Sequence, residues 1–185
     1  MNIEMSSDNR ETDIMLKEIV VDSEITVRPL MVDDSERIFE ILEADNDIRS
    51  HVGLFGDCDT LARLQEKLAD QISHGALRYG IIFDNKLVGY VGIHRNPDEK
   101  DSIQYIISDF LSSDFRGRGI MGKSLEALLS EAEKNLEIDS FSAWVEESNP
   151  ASANVLKRLG FAHTNIPHKD SRGRTNWDYI LEVRK

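Results

Sequence analysis

Arg116-Gly117-Arg118-Gly119-Ile120-Met121-Gly122-Lys123-Ser124 places three glycines and three basic side chains at the mouth of a helix-forming run. Leu125, Leu128, Leu129, Ala132 and Leu136 follow at helical intervals, so the glycine-rich turn opens an amphipathic helix. Small residues let backbone N–H groups converge on an anion at a helix N-terminus, where the helix dipole favours negative charge. An anion site is therefore expected here, in preference to a plain loop-to-helix junction with solvated arginines.

The residues around the turn give its setting. Ile103 to Ile107 reads as a strand before it, and Phe141 to Val145 as a buried strand after the helix. Asn149-Pro150 then starts a short helix, with Asn as N-cap and Pro at the first helical position, and Gly160 ends it as a left-handed C-cap. Two final strands, about Phe161 to Ile166 and Asn176 to Val183, flank the polar turn from His168 to Gly173. Upstream, Tyr79 to Phe83 and Leu87 to His94 form a hairpin across Asp84-Asn85-Lys86, whose first two residues tolerate positive φ. A first hairpin pairs Met15–Val21 with Ile25–Leu30, and Pro29 closes its second strand. Two helices follow: one after Asp33-Asp34 carrying Ile38, Phe39, Ile41 and Leu42, the other from about Thr60 to Ser73. The stretch from Ala44 to Asp59 between them reads as a turn-rich loop. The pattern is α+β, a mostly antiparallel sheet with helices on its faces.

Composition bounds the partners. Lys and Arg number 22 against 34 Asp and Glu, a formal charge of −12, which argues against wrapping a phosphate backbone or an anionic membrane. With 40% hydrophobic and 30% charged residues, the 185-residue chain reads as a soluble globular protein with one core. Residues 1–13 are polar and acidic and are expected to form a flexible arm, leaving 14–185 as a single domain without repeats or an internal linker. The N-terminus has no basic region followed by an apolar one, and the lone cysteine, Cys58, fits a reducing compartment, so the expected location is the cytoplasm. His51, His74, His94, His163 and His168 show no metal-ligand spacing, and no metal is expected.

Gly117 to Ser124 also satisfies the nucleotide-binding P-loop pattern G-x-x-x-x-G-K-[ST]. A P-loop follows its strand directly, whereas Ser108 to Arg116 separates Ile107 from Gly117, and no later apolar run ends in the Asp that would hold Mg²⁺. About 60 residues remain downstream, too few for the usual βα units. A P-loop nucleotide binder is the least favoured reading.

Arg116-x-x-Gly119-x-Met121 resembles the acetyl-CoA pyrophosphate turn, [QR]-x-x-G-x-[GA], of the GNAT superfamily of N-acetyltransferases. Leu87-Val88-Gly89-Tyr90-Val91-Gly92 resembles that family's second hairpin, and Ile103-Gln104-Tyr105-Ile106-Ile107 the strand before the turn. Asn149-Pro150-Ala151-Ser152 with Leu159-Gly160-Phe161 resembles its "N-x-x-S … G-F" segment. The resemblance runs from about Ile25 to Val183 and is closest to the ribosomal-protein N-terminal (serine/alanine) acetyltransferase branch, whose members often carry G-[RK]-G-I-M at the turn. It implies a mixed, mostly antiparallel sheet with helices on both faces. What the family counts as its fourth and fifth strands, here Ile103–Ile107 and Phe141–Val145, would splay apart around the pantetheine arm of acetyl-CoA.

The activity implied is acetyl-CoA-dependent transfer to a primary amine by direct attack in a ternary complex. A protein N-terminus is the favoured acceptor; a polyamine or an aminoglycoside is the alternative, and a non-catalytic acyl-CoA-binding module is a further one. The main chain of Ile106, Ile107 and Ser108 would meet the pantetheine. Arg116, Gly117, Arg118, Gly119, Ile120, Met121, Gly122 and Lys123 would hold the diphosphate, with Asn149, Asn154 and Lys157 as further cofactor contacts. The catalytic candidates are Asn149 to orient, Glu146 to take a proton and Tyr105 to protonate the thiolate; Asp45 and Asp47 are candidates for the acceptor. Three positions depart from the family pattern. Met121 stands where the superfamily has Gly or Ala, Ser102 and Gln104 where the branch shows Glu and Gly, and Leu156 where many members have the acid tyrosine. A ping-pong route through Cys58 is disfavoured because Asp57 and Asp59 beside it oppose a thiolate. A monomer or homodimer is expected.

Overall fold

A computed structural model describes residues 17–51, 55–170 and 173–183. The acidic arm and the start of the first hairpin, Met15 and Leu16, lie outside the described residues. Eight strands share one sheet: β1 (Ile19–Val20), β2 (Ile25–Pro29), β3 (Leu77–Phe83), β4 (Lys86–Arg95), β5 (Gln104–Leu111), β6 (Ser140–Glu146), β7 (Ala162–Lys169) and β8 (Thr175–Glu182). Their order is β1-β2-β3-β4-β5-β6-β8-β7. The helices are α1 (Ser35–Ala44), α2 (Asn46–His51), α3 (Leu61–Ser73), α4 (Ile120–Asn135) and α5 (Pro150–Arg158). The chain forms two compact units, one reaching to Gly92 and resuming over Asp109–Leu136, the other comprising Ile93–Ser108 and Glu137–Lys185.

In the first unit, strand alternation sorts the helices onto two faces. Along β3, Ile82 packs on the cluster of Ile38, Leu42, Leu64, Leu68, Tyr90 and Phe110, which joins α1 and α3 to the sheet. Tyr79 and Ile81 point the other way, where Glu131 of α4 acts electrostatically on the Tyr79 phenol. The β3–β4 turn carries Asp84 at φ 49° and Asn85 at φ 62°, the two left-handed residues that match hairpin twist. Arg28 clamps Asp34 through paired 2.8 Å hydrogen bonds, and Asp34 also accepts the Met31 N–H, so the entry to α1 is fixed by one buried carboxylate.

Two expectations are corrected in this unit. The stretch after α1 is not wholly loop: α2 forms because the Asp45 carboxylate accepts the N–H groups of Asp47 and Ile48, and Ile48 is buried. The strand before the turn does not end at Ile107 but runs on to Leu111, taking Ser108 and Asp109 into the sheet.

In the second unit, β6 and β8 pair over seven residues, from Ser140 with Glu182 to Glu146 with Asn176. β7 pairs with β8 through a register shift between His163 and Pro167. β5 and β6 run parallel and pair through only three residue couples, Gln104 with Ser140, Tyr105 with Phe141 and Ile106 with Ser142. Beyond Ile106 the ladder stops while β6 continues to Glu146, which is the splay the resemblance called for. Asn149 caps α5 by accepting the Ser152 N–H at 3.1 Å, with Pro150 in the first turn, and Gly160 ends it at φ 92°.

Candidate active site

The first unit presents a helix N-terminus built to receive an anion. β5 leads through a short 3₁₀ turn, Ser113–Phe115, into Gly117 and Gly119, both at φ 76° in the left-handed region. Gly119 is the N-cap of the sixteen-residue α4 and supplies no side-chain cap, while the first helical bond runs from the Lys123 N–H to the Gly119 carbonyl. The N–H groups of Ile120, Met121 and Gly122 therefore have no acceptor within the helix. A Cβ built on Gly117, Gly119 or Gly122 meets nothing within 4 Å, so the three glycines border open space. A diphosphate fits this cradle by its charge and its acceptor oxygens.

The cations around the turn are not equivalent. Arg116 donates to the Leu111 carbonyl at 3.1 Å and to the Asp45 carboxylate at 2.8 Å. Lys123 holds Asp22 at 2.7 Å, which lowers the pKa of that carboxyl and raises that of the amine. Arg118 lies over the Phe115 ring and donates to the Asp114 carbonyl, and among the described residues it makes no ion pair. It is thus the cation of the turn left to meet a phosphate. Asp45 serves two jobs at once, capping α2 and holding Arg116, whereas Asp47 lies exposed near His51. Ser124, which a P-loop would turn toward a metal ion, is fully buried in α4. Cys58 is buried in the core, and desolvation raises its thiol pKa.

One ionisable group of this unit escaped the sequence reading. Asp109 lies in β5, and desolvation of its carboxyl pushes its pKa up to about 6. The signal was present: Tyr105, Ile107, Asp109 and Leu111 share one strand face, and the other three are apolar and buried. Reading the strand as ending at Ile107 hid it.

In the second unit, Ile106 and Ile107 are buried where the β5–β6 ladder ends, Ser108 follows them half-buried, and Tyr105 is 2% exposed. Glu146 accepts from Arg174 at 2.9 Å and from the Ser148 hydroxyl at 2.6 Å, so its carboxylate is engaged. Since Asn149 Oδ1 is committed to the cap, its amide nitrogen is what remains to donate to a ligand. Asn154 and Lys157 are exposed on α5. A cavity of about 340 Å³ lies beside them, lined by Glu147, Asn149, Lys157, His163, Trp177 and Tyr179 among others. Leu156 is buried.

Comparisons with known proteins bear on the fold and the family. YdaF of Bacillus subtilis strain 168, provisionally named a ribosomal N-acetyltransferase, is 25% identical over 150 residues, which is 76% of this chain and 79% of that protein. RimL, a ribosomal L7/L12 α-N-protein acetyltransferase solved in complex with coenzyme A, superposes with a TM-score of 0.79 at 18% identity, covering 90% of this chain and 98% of its own. The microcin C7 self-immunity acetyltransferase MccE, solved with acetyl-CoA and AMP, gives 0.76 at 19% identity, covering 92% and 100%. At these identities the structures establish the fold. Among the described residues no helix is long and apolar enough to cross a membrane. The acetyltransferase (GNAT) domain model matches residues 24–162, and with three-quarters of its length so accounted for, the chain belongs to the GNAT family of acetyl-CoA-dependent N-acetyltransferases.

Proposed function

We propose that this enzyme acetylates the N-terminal amine of a protein, with a ribosomal protein as the first candidate, by direct transfer in a ternary complex in the cytoplasm. The observation that carries the reading is the turn at Gly117–Gly122, with left-handed glycines, unshared helix N–H groups and open space at every missing Cβ. The ribosomal acceptor is supported by what the names of YdaF and RimL say of those proteins.

When bound, acetyl-CoA supplies a thioester whose acyl carbon accepts a neutral amine. The N–H groups of Ile120, Met121 and Gly122 hold the diphosphate, with Arg118 as its charge partner. Arg116 acts through Asp45: it ties the turn to the start of α2 and keeps the Gly117–Gly119 backbone in place. The main chain of Ile107 and Ser108, which follows the last ladder pair at Ile106, offers strand-like hydrogen bonds to an extended arm, and an N–H near Ile106 serves the developing oxyanion. Asn149 orients through its amide nitrogen. The Glu146–Arg174 pair favours a structural task for Glu146 at the end of β6 over proton transfer, and the burial of Tyr105 favours packing. The buried, desolvated Cys58 thiol is a poor nucleophile, in keeping with direct transfer.

The test is calorimetric titration with acetyl-CoA, followed by thiol release with a panel of unblocked hexapeptides bearing the N-termini of ribosomal proteins. Micromolar binding and turnover of at least one peptide are expected. Binding without turnover of any peptide, while spermidine or an aminoglycoside is acetylated, would replace the protein acceptor by a small amine.

A further inference from the structure

The two faces of the second unit's sheet are unlike. Val145, Trp177 and Tyr179 line the face on which α5 lies, together with Ala153 and Lys157 of that helix. The opposite face has the register pair Trp144 and Asp178 at its centre. His168 pairs with Asn176, two residues from Asp178, so the strand period places its ring on this second face too. The Trp144 and His168 rings lie 5.0 Å apart at 34°.

Three observations mark this cluster as a binding surface. Trp144, on the stretch of β6 beyond its last pair with β5, is 53% exposed, so a large flat apolar ring faces outward. Asp178 is only 9% exposed, and among the described residues its Oδ1 has no hydrogen-bond partner; the same holds for the buried Nε2 of His168. Buried polar atoms in folded proteins are nearly always paired, so two together on one face point to a donor that arrives from outside. The local charge sets its sign. Arg174 is engaged by Glu146 at 2.9 Å and by Asp170 at 2.7 Å. Asp178 is itself a carboxylate, so a cation is the donor that its free oxygen favours. Desolvation raises the pKa of Asp178, while His168 and a hydrogen bond from the Tyr179 N–H act to lower it.

We infer that Trp144, His168 and Asp178 form a subsite for a basic side chain, arginine or lysine, of the acceptor peptide, with the cation seated against the Trp144 ring and hydrogen-bonded to Asp178 Oδ1. The inference rests on the acetyltransferase reading, for which it supplies a specificity determinant distinct from the amine that reacts. It explains why an exposed tryptophan and a buried carboxylate face one another across strands, an arrangement that adds little to the stability of the sheet alone.

The test uses the full chain and a probe without a transferable amine. Nα-acetyl-arginine amide is titrated while tryptophan fluorescence is followed, with Nα-acetyl-citrulline amide as its neutral isostere and coenzyme A titrated separately into each variant. Saturable quenching by the arginine probe, at least tenfold tighter than by citrulline, is expected. Asp178→Asn reduces that preference below threefold, Trp144→Phe removes the quenching, and both variants keep coenzyme A affinity within twofold. Equal binding of the two probes, no binding to the unaltered protein at 50 mM, or full preference in Asp178→Asn overturns the inference. A protein that fails to bind coenzyme A but still discriminates arginine from citrulline overturns the acetyltransferase reading of the cofactor turn and leaves the subsite standing.

Discussion

Asp109 costs the fold stability at neutral pH. Its carboxyl titrates near 6 in the folded chain against 3.8 as the ordinary value, so the folded state holds a proton that the unfolded state has already released. The sign follows: stability is greatest below the ordinary value and falls as pH rises toward 6. Asp109→Asn, which removes the charge and keeps the shape, is expected to raise stability at pH 7 by about 1–3 kcal/mol and to flatten its dependence between pH 4 and 6. Urea melts at several pH values check this. Asp45 is the opposite case, a side chain whose loss harms two places. Asp45→Ala removes the α2 cap and releases Arg116, and is expected to cost about 1–2 kcal/mol in stability together with a several-fold loss of acetyl-CoA affinity. Chemical denaturation and calorimetry on the same variant separate the two effects.

The helix α4 and its turn make a stronger test because two of the glycines differ in kind. Gly119 lies at φ 76°, so Gly119→Ala is expected to destabilise by about 1–2 kcal/mol through backbone strain alone, there being open space for the methyl group. Gly122 lies within α4, and alanine there is expected to stabilise the fold by about 0.5–1 kcal/mol. If the diphosphate occupies the space that Gly122 borders, the same change weakens acetyl-CoA binding at least tenfold. A variant that melts higher and binds worse is the signature of a cradle; one that melts higher and binds equally well places the cofactor elsewhere. Thermal melting and calorimetry decide between them.

Across the whole molecule the charge of −12 repels anionic partners and draws cationic ones. Raising salt from 0.05 to 0.3 M is expected to raise the KM for a basic peptide several-fold and to leave that for an uncharged peptide nearly unchanged, since exposed charges are screened beyond about 6–14 Å over that range. Steady-state kinetics at both salts measure it.

The order of strands and helices, the αL hairpin at Asp84-Asn85, the glycine turn at the head of α4 and the Asn-Pro start of α5 were legible in the sequence, because each rests on contacts between near neighbours: a period, a cap, a residue that tolerates positive φ. The length of β5 was not, since an acid at Asp109 looks like a strand end until its partner strands are in place. Nor was α2, whose cap Asp45 sits among turn-forming residues that mask a single buried isoleucine. The state of the charged side chains was decided by tertiary structure alone. Arg116, Lys123 and Glu146 all read as available until residues 71, 101 and 28 positions away in the chain supplied their counter-charges. The meeting of Trp144, His168 and Asp178 has the same origin, for it depends on strand register, and register is set by the packing of the whole sheet rather than by any stretch of it.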